Sequence, residues 1–331
     1  ISSNKVNLKV SNSLVSLVFD KENGSLLSYN FSDNEFIKYS PYTNFWRASI
    51  DNDYGNNLPL RSIEWKTASN SRQLESIVTN KIDPNLVEVI VNYKLNNVSS
   101  KNKITYTINS KGVLKVENDF VYGGKLKDAQ IPRFGMNFTI PKQYSDIMWY
   151  GRGPHENYID RKSSAFVGLY ECLVEDLGFD YSRPQENGYR TDVRWLKVSN
   201  KDKIGFEIRG EPLISFSAHY NTIDDFDDGL IPQKPGEELA VRQRLVKMQR
   251  KPVDVPERDF ISLNIDLKQM GVGGDNSWGA RTLPKYTIDP GDYSYSFTLI
   301  PFNWKKFTTE KNYNFSNCLL YTSDAADELS C

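Results

Sequence analysis

Apolar and polar residues alternate with a period of two along most of the chain, the signature of half-buried strands, and helical spacing is rare. The alternation predicts strands over Leu14–Asp20, Ser25–Phe31, Leu86–Leu95, Lys103–Asn109, Val113–Tyr122, Arg133–Ile140, Asp146–Tyr150, Val193–Ser199, Ile204–Arg209, Leu213–His219, Phe260–Leu267 and Tyr293–Pro301. Asn23-Gly24 between the first two predicts a type I′ hairpin, because both central residues of that turn need positive φ. Ser110-Lys111-Gly112 and Asp289-Pro290-Gly291-Asp292 supply further turns. Connections are short and no βαβ rhythm appears, so the fold class is all-β, a large antiparallel sandwich. Only Pro235–Met248 breaks the pattern: its early Glu237 and Glu238 and later basic residues suit a short surface helix. No internal repeat is visible, which disfavours solenoids and propellers.

The 331 residues fit two domains or one large β-sandwich. Forty-one Lys+Arg against 42 Asp+Glu give a formal net charge of −1, so no overall basic field draws nucleic acid or an anionic membrane. The basic cluster Arg242–Lys251 reads as a solvated face, offset by the acidic run Asp224–Asp228. No apolar run is long enough to span a bilayer, and Ile1–Val10 lacks the order of a signal peptide. The chain is therefore expected to be soluble, in cytoplasm or periplasm without a choice between them. Aromatic residues make up 13%, which suits both a strand-rich core and a sugar-stacking surface. Cys172, Cys318 and Cys331 are too few for a disulfide framework, and two histidines, His155 and His219, make metal chemistry improbable. No metal site is expected in this chain.

Generic nucleotide, zinc and nucleophile-elbow motifs are absent. Three polar and aromatic clusters interrupt the strand pattern, at Asn44–Asn56, Trp149–Arg161 and Met270–Gly279. Glycosidic cleavage requires two carboxyl groups flanking the bond. Asp51, Asp53, Glu156, Asp160, Glu186 and Asp275 all supply carboxyl groups, but no spacing selects a pair. Loops of this composition commonly hold carboxylate–arginine pairs and tight turns, which makes the clusters architectural candidates as well.

Read together, the clusters resemble the C-terminal domain of large bacterial β-galactosidases, glycoside hydrolases of family two. Phe45-Trp46-Arg47-Ala48 with Ile50-Asp51-Asn52-Asp53-Tyr54-Gly55-Asn56 is similar to the family's F-x-R-A-P-x-D-N-D-x-G-N. The stretch from Gly151 to Arg161 is similar to G-x-G-P-x-E-N-Y-x-D-R, Glu186-Asn187-Gly188-Tyr189-Arg190 to E-N-G-x-R, and Met270–Trp278 to M-G-x-G-G-D-[DN]-S-W. These motifs keep the family's order between about Val6 and Ile300. Ser49 stands where the family has Pro, and Arg250-Lys251 where relatives often carry a His.

The resemblance implies a galactose-mutarotase-like supersandwich over residues 1–317 that belongs to an enzyme hydrolysing terminal β-galactosides such as lactose. It implies no catalytic residue here: the acid/base and nucleophile glutamates, with the Mg and Na sites, are expected in a preceding barrel domain, so the chain alone is expected to be inactive. Trp278 maps to the family's sugar-contacting Trp, and Gly55 to a loop hinge near that pocket. Asp51, Asn52, Asp53, Glu156, Asn157, Arg161, Glu186, Asn187 and Asp275 are expected to be architectural, with Asp51, Asp53, Arg161 and Glu186 at least half-buried in salt bridges. Expected partners are a β-galactoside or other carbohydrate and the parent enzyme's barrel, with a homo-oligomer as a further option. The missing initiator Met fits a fragment, and Cys318–Cys331 resembles a translated sequencing adapter, expected to be disordered. Two other functions fit the residues: a stand-alone carbohydrate-binding module, and an aldose 1-epimerase using His155 and His219 as acid and base.

Overall fold

The structure is a computed structural model that describes residues 1–124, 126, 130–227 and 251–303. The helix expected at Pro235–Met248, all of the basic cluster except Lys251, and the Cys318–Cys331 tail lie outside the described residues. A five-stranded meander comprises β1 (Ser2–Ser3), β2 (Asn7–Ser11), β3 (Val15–Asp20), β4 (Leu26–Phe31) and β5 (Asn34–Glu35). A twelve-stranded sheet follows: β6 (Tyr39–Asn44), β7 (Arg72–Asp83), β8 (Leu86–Leu95), β9 (Ser100–Asn109), β10 (Leu114–Val121), β11 (Arg133–Pro141), β12 (Asp146–Gly153), β13 (Phe166–Leu173), β14 (Arg190–Ser199), β15 (Ile204–His219), β16 (Phe260–Gln269) and β17 (Tyr293–Asn303). Neighbouring strands pair antiparallel throughout, as in β8 with β9 and β11 with β16.

One long strand turns the sheet into two layers. The first half of β15 pairs with β17, while its second half pairs with β16, which leads to β11 and β6. The two strands expected at Ile204–Arg209 and Leu213–His219 are thus one, whose register against β14 shifts between Arg209 and Ile214; an added Cβ at Gly210 would sit 2.1 Å from Ile214 Cγ2. Between Asn23 and Gly24 the structure corrects the expected turn. Only Gly24 has positive φ (+74°), and the Asp20 N–H bonds to the Ser25 carbonyl, so the connection is a four-residue loop rather than type I′.

Aromatic packing accounts for most of the high ring content. Phe45, Trp65, Phe120 and Phe134 form one buried cluster, with Phe45 5.0 Å from Phe120 and 5.6 Å from Trp65 between ring centroids. Phe36 docks the meander on the main sheet, 5.5 Å from Tyr144 and 5.0 Å from Phe206. Trp65 reaches the core from a feature the alternation did not predict: α1 (Asp51–Gly55), α2 (Leu58–Arg61) and α3 (Ile63–Ala68) replace the expected loop after Asn44. Their buried Tyr54, Leu58 and Trp65 close one end of the sandwich. Trp65→Ala should therefore cost about 3–5 kcal/mol, the usual range for a deleted core Trp. Urea denaturation measures this; a loss under about 1 kcal/mol would show that α3 is not part of the core.

Candidate functional site

The motif clusters converge at one end of the sandwich, where polar side chains join them in series. Arg133, at the start of β11, is buried, and its guanidinium lies 3.0 Å from Glu186 and 3.0 Å from Asp266 while Nε donates to Gln269 Oε1 at 2.9 Å. Glu186 opens the loop leading to β14. Beside it, Gly188 N–H donates to Glu156 Oε2 at 2.8 Å, and Arg161 and Tyr181 bind the other oxygen of that carboxylate. Asn157, fully buried, accepts from the Thr191 N–H at 3.0 Å and donates to the His155 carbonyl at 3.0 Å. The Gly188–Glu156 and Thr191–Asn157 bonds tie the second cluster to the Glu186 loop and the start of β14.

Asp160 continues the series into the third cluster. Its carboxylate accepts the N–H groups of Val272 at 3.1 Å and Gly273 at 2.7 Å. An added Cβ at Gly271 would lie 2.5 Å from the same carboxylate, so that glycine is required for space. Asn52 on α1 then spans the far side of the loop: its amide nitrogen donates to the Asn276 carbonyl at 2.7 Å, and its oxygen accepts the Gly279 N–H at 3.1 Å. Asn276 Oδ1 accepts the N–H groups of Trp278 and Ala280, both at 3.1 Å. Next to Asn52, Asp53 accepts the Ile50 N–H at 3.0 Å and pairs with buried Arg47 at 2.7 Å.

Trp278 stands at the outer end of this series and is 74% exposed. Gly55 has a packing reason to be glycine rather than the conformational one that a hinge needs. A Cβ there would meet Gly279 Cα at 2.5 Å and the Trp278 carbonyl at 2.6 Å, so α1 and the Trp278 loop touch backbone to backbone.

The burial expected for four residues divides. Asp53 and Glu186 are buried, whereas Asp51 and Arg161 are exposed, paired with Arg183 at 3.3 Å and Glu156 at 2.7 Å. Asp275 is exposed, and its carboxylate makes no ion pair among the described residues, so nothing local gives it an architectural task. Asn187 accepts the Phe179 N–H at 3.1 Å and donates to the Gln185 carbonyl at 2.9 Å. Ser49, in place of the family's Pro, is buried, and its hydroxyl has no hydrogen-bond partner among the described residues. Asp160, which sequence reasoning named only among carboxylates that no spacing could pair, is central here, as are Arg133 and Asp266, to which it gave no role. The acidic run also has specific partners: Asp227 accepts from Trp46 Nε1 at 3.0 Å and pairs with Lys66, and Asp225 pairs with Arg258 at 2.5 Å.

The two histidines are differently placed. His155 is exposed and contacts Ser164 at 3.1 Å. His219 is packed edge-on against Phe226, with Nε2 3.1 Å from the Asn187 carbonyl, and burial lowers its pKa to about 4. Among the described residues no group of three or more His, Cys, Asp or Glu could hold a metal ion, and no helix is long and apolar enough to cross a membrane.

This antiparallel sandwich, with a polar loop system at one end, places the chain among the galactose-mutarotase-like supersandwiches. A galactose 1-epimerase from Lactobacillus acidophilus NCFM shares the fold at TM-score 0.50 and 8% identity, covering 89% of this chain and 94% of that chain. Residues 11–299 match the family model described as β-galactosidase small chain, and the chain belongs to that family. It is 35% identical over 302 residues to a β-galactosidase of Priestia megaterium, covering 91% of this chain and 27% of that protein. A β-galactosidase of Halalkalibacterium halodurans is 30% identical over 289 residues, covering 86% of this chain and 26% of that protein. The chain thus spans roughly a quarter of the length of these relatives.

Two predictions test the site. Asn52→Ala leaves the Asn276 carbonyl and Gly279 N–H without their partner and should cost about 1–3 kcal/mol; Asn52→Asp, which keeps the acceptor for Gly279 but sets a carboxylate oxygen against the Asn276 carbonyl, should cost at least as much. Equal stabilities in urea denaturation for all three proteins would remove Asn52 from the loop's support. The second concerns pH. Burial raises Asp266 to about 7 despite nearby Arg133, so in the folded protein it binds a proton that the unfolded chain releases near 3.8. Its contribution to stability is present below that value and is lost as pH rises toward 7. His219 acts in the opposite sense, since the unfolded chain protonates it first as pH falls below 6.5. The stability of Asp266→Asn relative to the parent should therefore increase from pH 4 to pH 7; a constant difference would mean Asp266 does not titrate there.

Proposed function

We propose that this chain is the accessory end of a β-galactosidase and that Trp278 is its contact with sugar. A large amphipathic ring left in solvent is costly, yet the surrounding hydrogen bonds from Asn52, Asn276 and Asp160 hold its loop in place, which is the arrangement a stacking platform requires. That exposed, braced ring is the observation that carries the reading. The carboxylate pair for bond cleavage is supplied by residues outside this chain, consistent with relatives more than three times as long, and the barrel carrying them is the principal partner. Magnesium and sodium are assigned to that barrel; among the described residues no group of three or more His, Cys, Asp or Glu could hold a metal ion.

The loops carrying Glu156, Asp53 and Glu186 support the proposal differently. Each carboxylate is occupied by arginine, tyrosine or backbone donors, which suits positioning rather than proton transfer. The chain alone should not hydrolyse a chromogenic β-galactoside. In a full-length enzyme bearing this domain, Trp278→Ala should raise KM about tenfold or more, with little change in thermal stability. Hydrolysis by the isolated chain that is lost in Glu156→Gln would overturn the accessory role; unchanged KM with a large stability loss would return Trp278 to a structural part.

A further inference from the structure

A second cleft, of about 530 Å³, opens beside the Glu186 loop and shares no residue with the Trp278 loop. Phe179, Tyr181, Tyr220 and Phe226 give it aromatic walls, and His219 and Asn221 lie among them. Phe179 is 61% exposed and tilts against Tyr181 at 4.7 Å between ring centroids. An exposed phenyl ring at the mouth of a polar cleft leaves an apolar face available for a ligand.

The hydrogen-bonding capacity of these walls is one-sided. Tyr181 donates its hydroxyl proton to Glu156, Asn187 donates to the Gln185 carbonyl, and Asn221 donates to the Pro256 carbonyl at 2.8 Å. His219 Nε2 faces a carbonyl oxygen, the Asn187 acceptor, so it carries the proton and Nδ1 is the lone-pair nitrogen. That edge faces Gly178, whose missing side chain leaves it open: a Cβ at Gly178 would sit 3.6 Å from Nδ1. Asn221 Oδ1 is a second acceptor. Glu175, Asp180 and Glu257 line the cleft too, Glu257 paired with Lys142, which itself lies 4.9 Å above the Tyr220 ring. These side-chain donors are spent inside the protein, the Tyr220 hydroxyl is a further donor on the wall, and the acceptors remain.

We infer that this cleft is a binding site for a neutral pyranoside, distinct from the Trp278 platform. A pyranose presents hydroxyl donors around its rim and an apolar C–H face to an aromatic ring, the complement of acceptor-rich, aromatic walls. Anions are disfavoured by the three carboxylates. A compact cation lacks the hydroxyl donors that His219 and Asn221 are placed to receive. The inference stands whether or not Trp278 contacts sugar.

Isothermal titration of the chain with methyl β-D-galactopyranoside and methyl β-D-glucopyranoside tests it. At least one glycoside should bind one-to-one with low-millimolar affinity, equally in the parent and in Trp278→Ala. Phe179→Ala, at an exposed position, should weaken binding about tenfold, and Asn221→Ala should do the same with the fold checked by circular dichroism. Absence of binding by both glycosides would overturn the inference. So would binding that Trp278→Ala abolishes while Phe179→Ala leaves intact, or a cleft that takes tetramethylammonium instead of either glycoside.

Discussion

A buried guanidinium organises this end of the sandwich. Arg133 cannot stay ionised away from water without counter-charge; Glu186 and Asp266 supply it from a loop and a neighbouring strand, and Gln269 adds a neutral acceptor oxygen. Two carboxylates around one cation are not fully compensated: burial raises the pKa of both Glu186 and Asp266 against the attraction of Arg133. Desolvation wins at Asp266, so this network is a weak source of net stability. Its effect is to fix geometry, because the charges can be accommodated in one arrangement of β11, β16 and the Glu186 loop. Gly135 accommodates that arrangement, since a Cβ there would lie 1.9 Å from Asp266 Oδ1.

From that centre the polar contacts run outward without a gap. Glu186 fixes its loop, Gly188 reaches Glu156, Asn157 joins the same two segments, Asp160 holds the Val272–Gly273 amides, and Asn52 holds Asn276 and Gly279. Segments without regular secondary structure thereby gain the rigidity that strands get from ladders. An aromatic ring can then be displayed in solvent on a loop without collapsing onto the sandwich, and this is what links the buried charge to the proposed sugar contact.

Most of the central strands were legible from alternation because one of their faces is buried; β8 begins and ends at the residues expected. The strands that escaped were largely those where that signal fails. β13 is an edge strand with Phe166, Val167, Leu169 and Leu173 exposed, and β7, at the other edge, has no fully buried residue. α1–α3 were unreadable for another reason: each is at most six residues long, shorter than any amphipathic period can declare. At the site, motif resemblance marked Asn52, Asn157 and Trp278 but not what they bind. Asn52 and Asn276 are separated by 224 positions, and no local rule joins them. Asp51, Arg161 and Asp275 show the converse: the residue types fit buried loop pairs, while the fold leaves all three exposed.

Native-state amide hydrogen exchange tests the continuity of this polar series most directly. The N–H groups of Val272, Gly273 and Gly279, each bonded to a side chain from a distant segment, should exchange slowly and should share one opening free energy with Gly188 and Thr191. Exchange of the Val272, Gly273 and Gly279 amides at the rate of an unstructured loop, while Gly188 and Thr191 remain protected, would break the series at Asp160 and leave Trp278 on a loop that nothing holds.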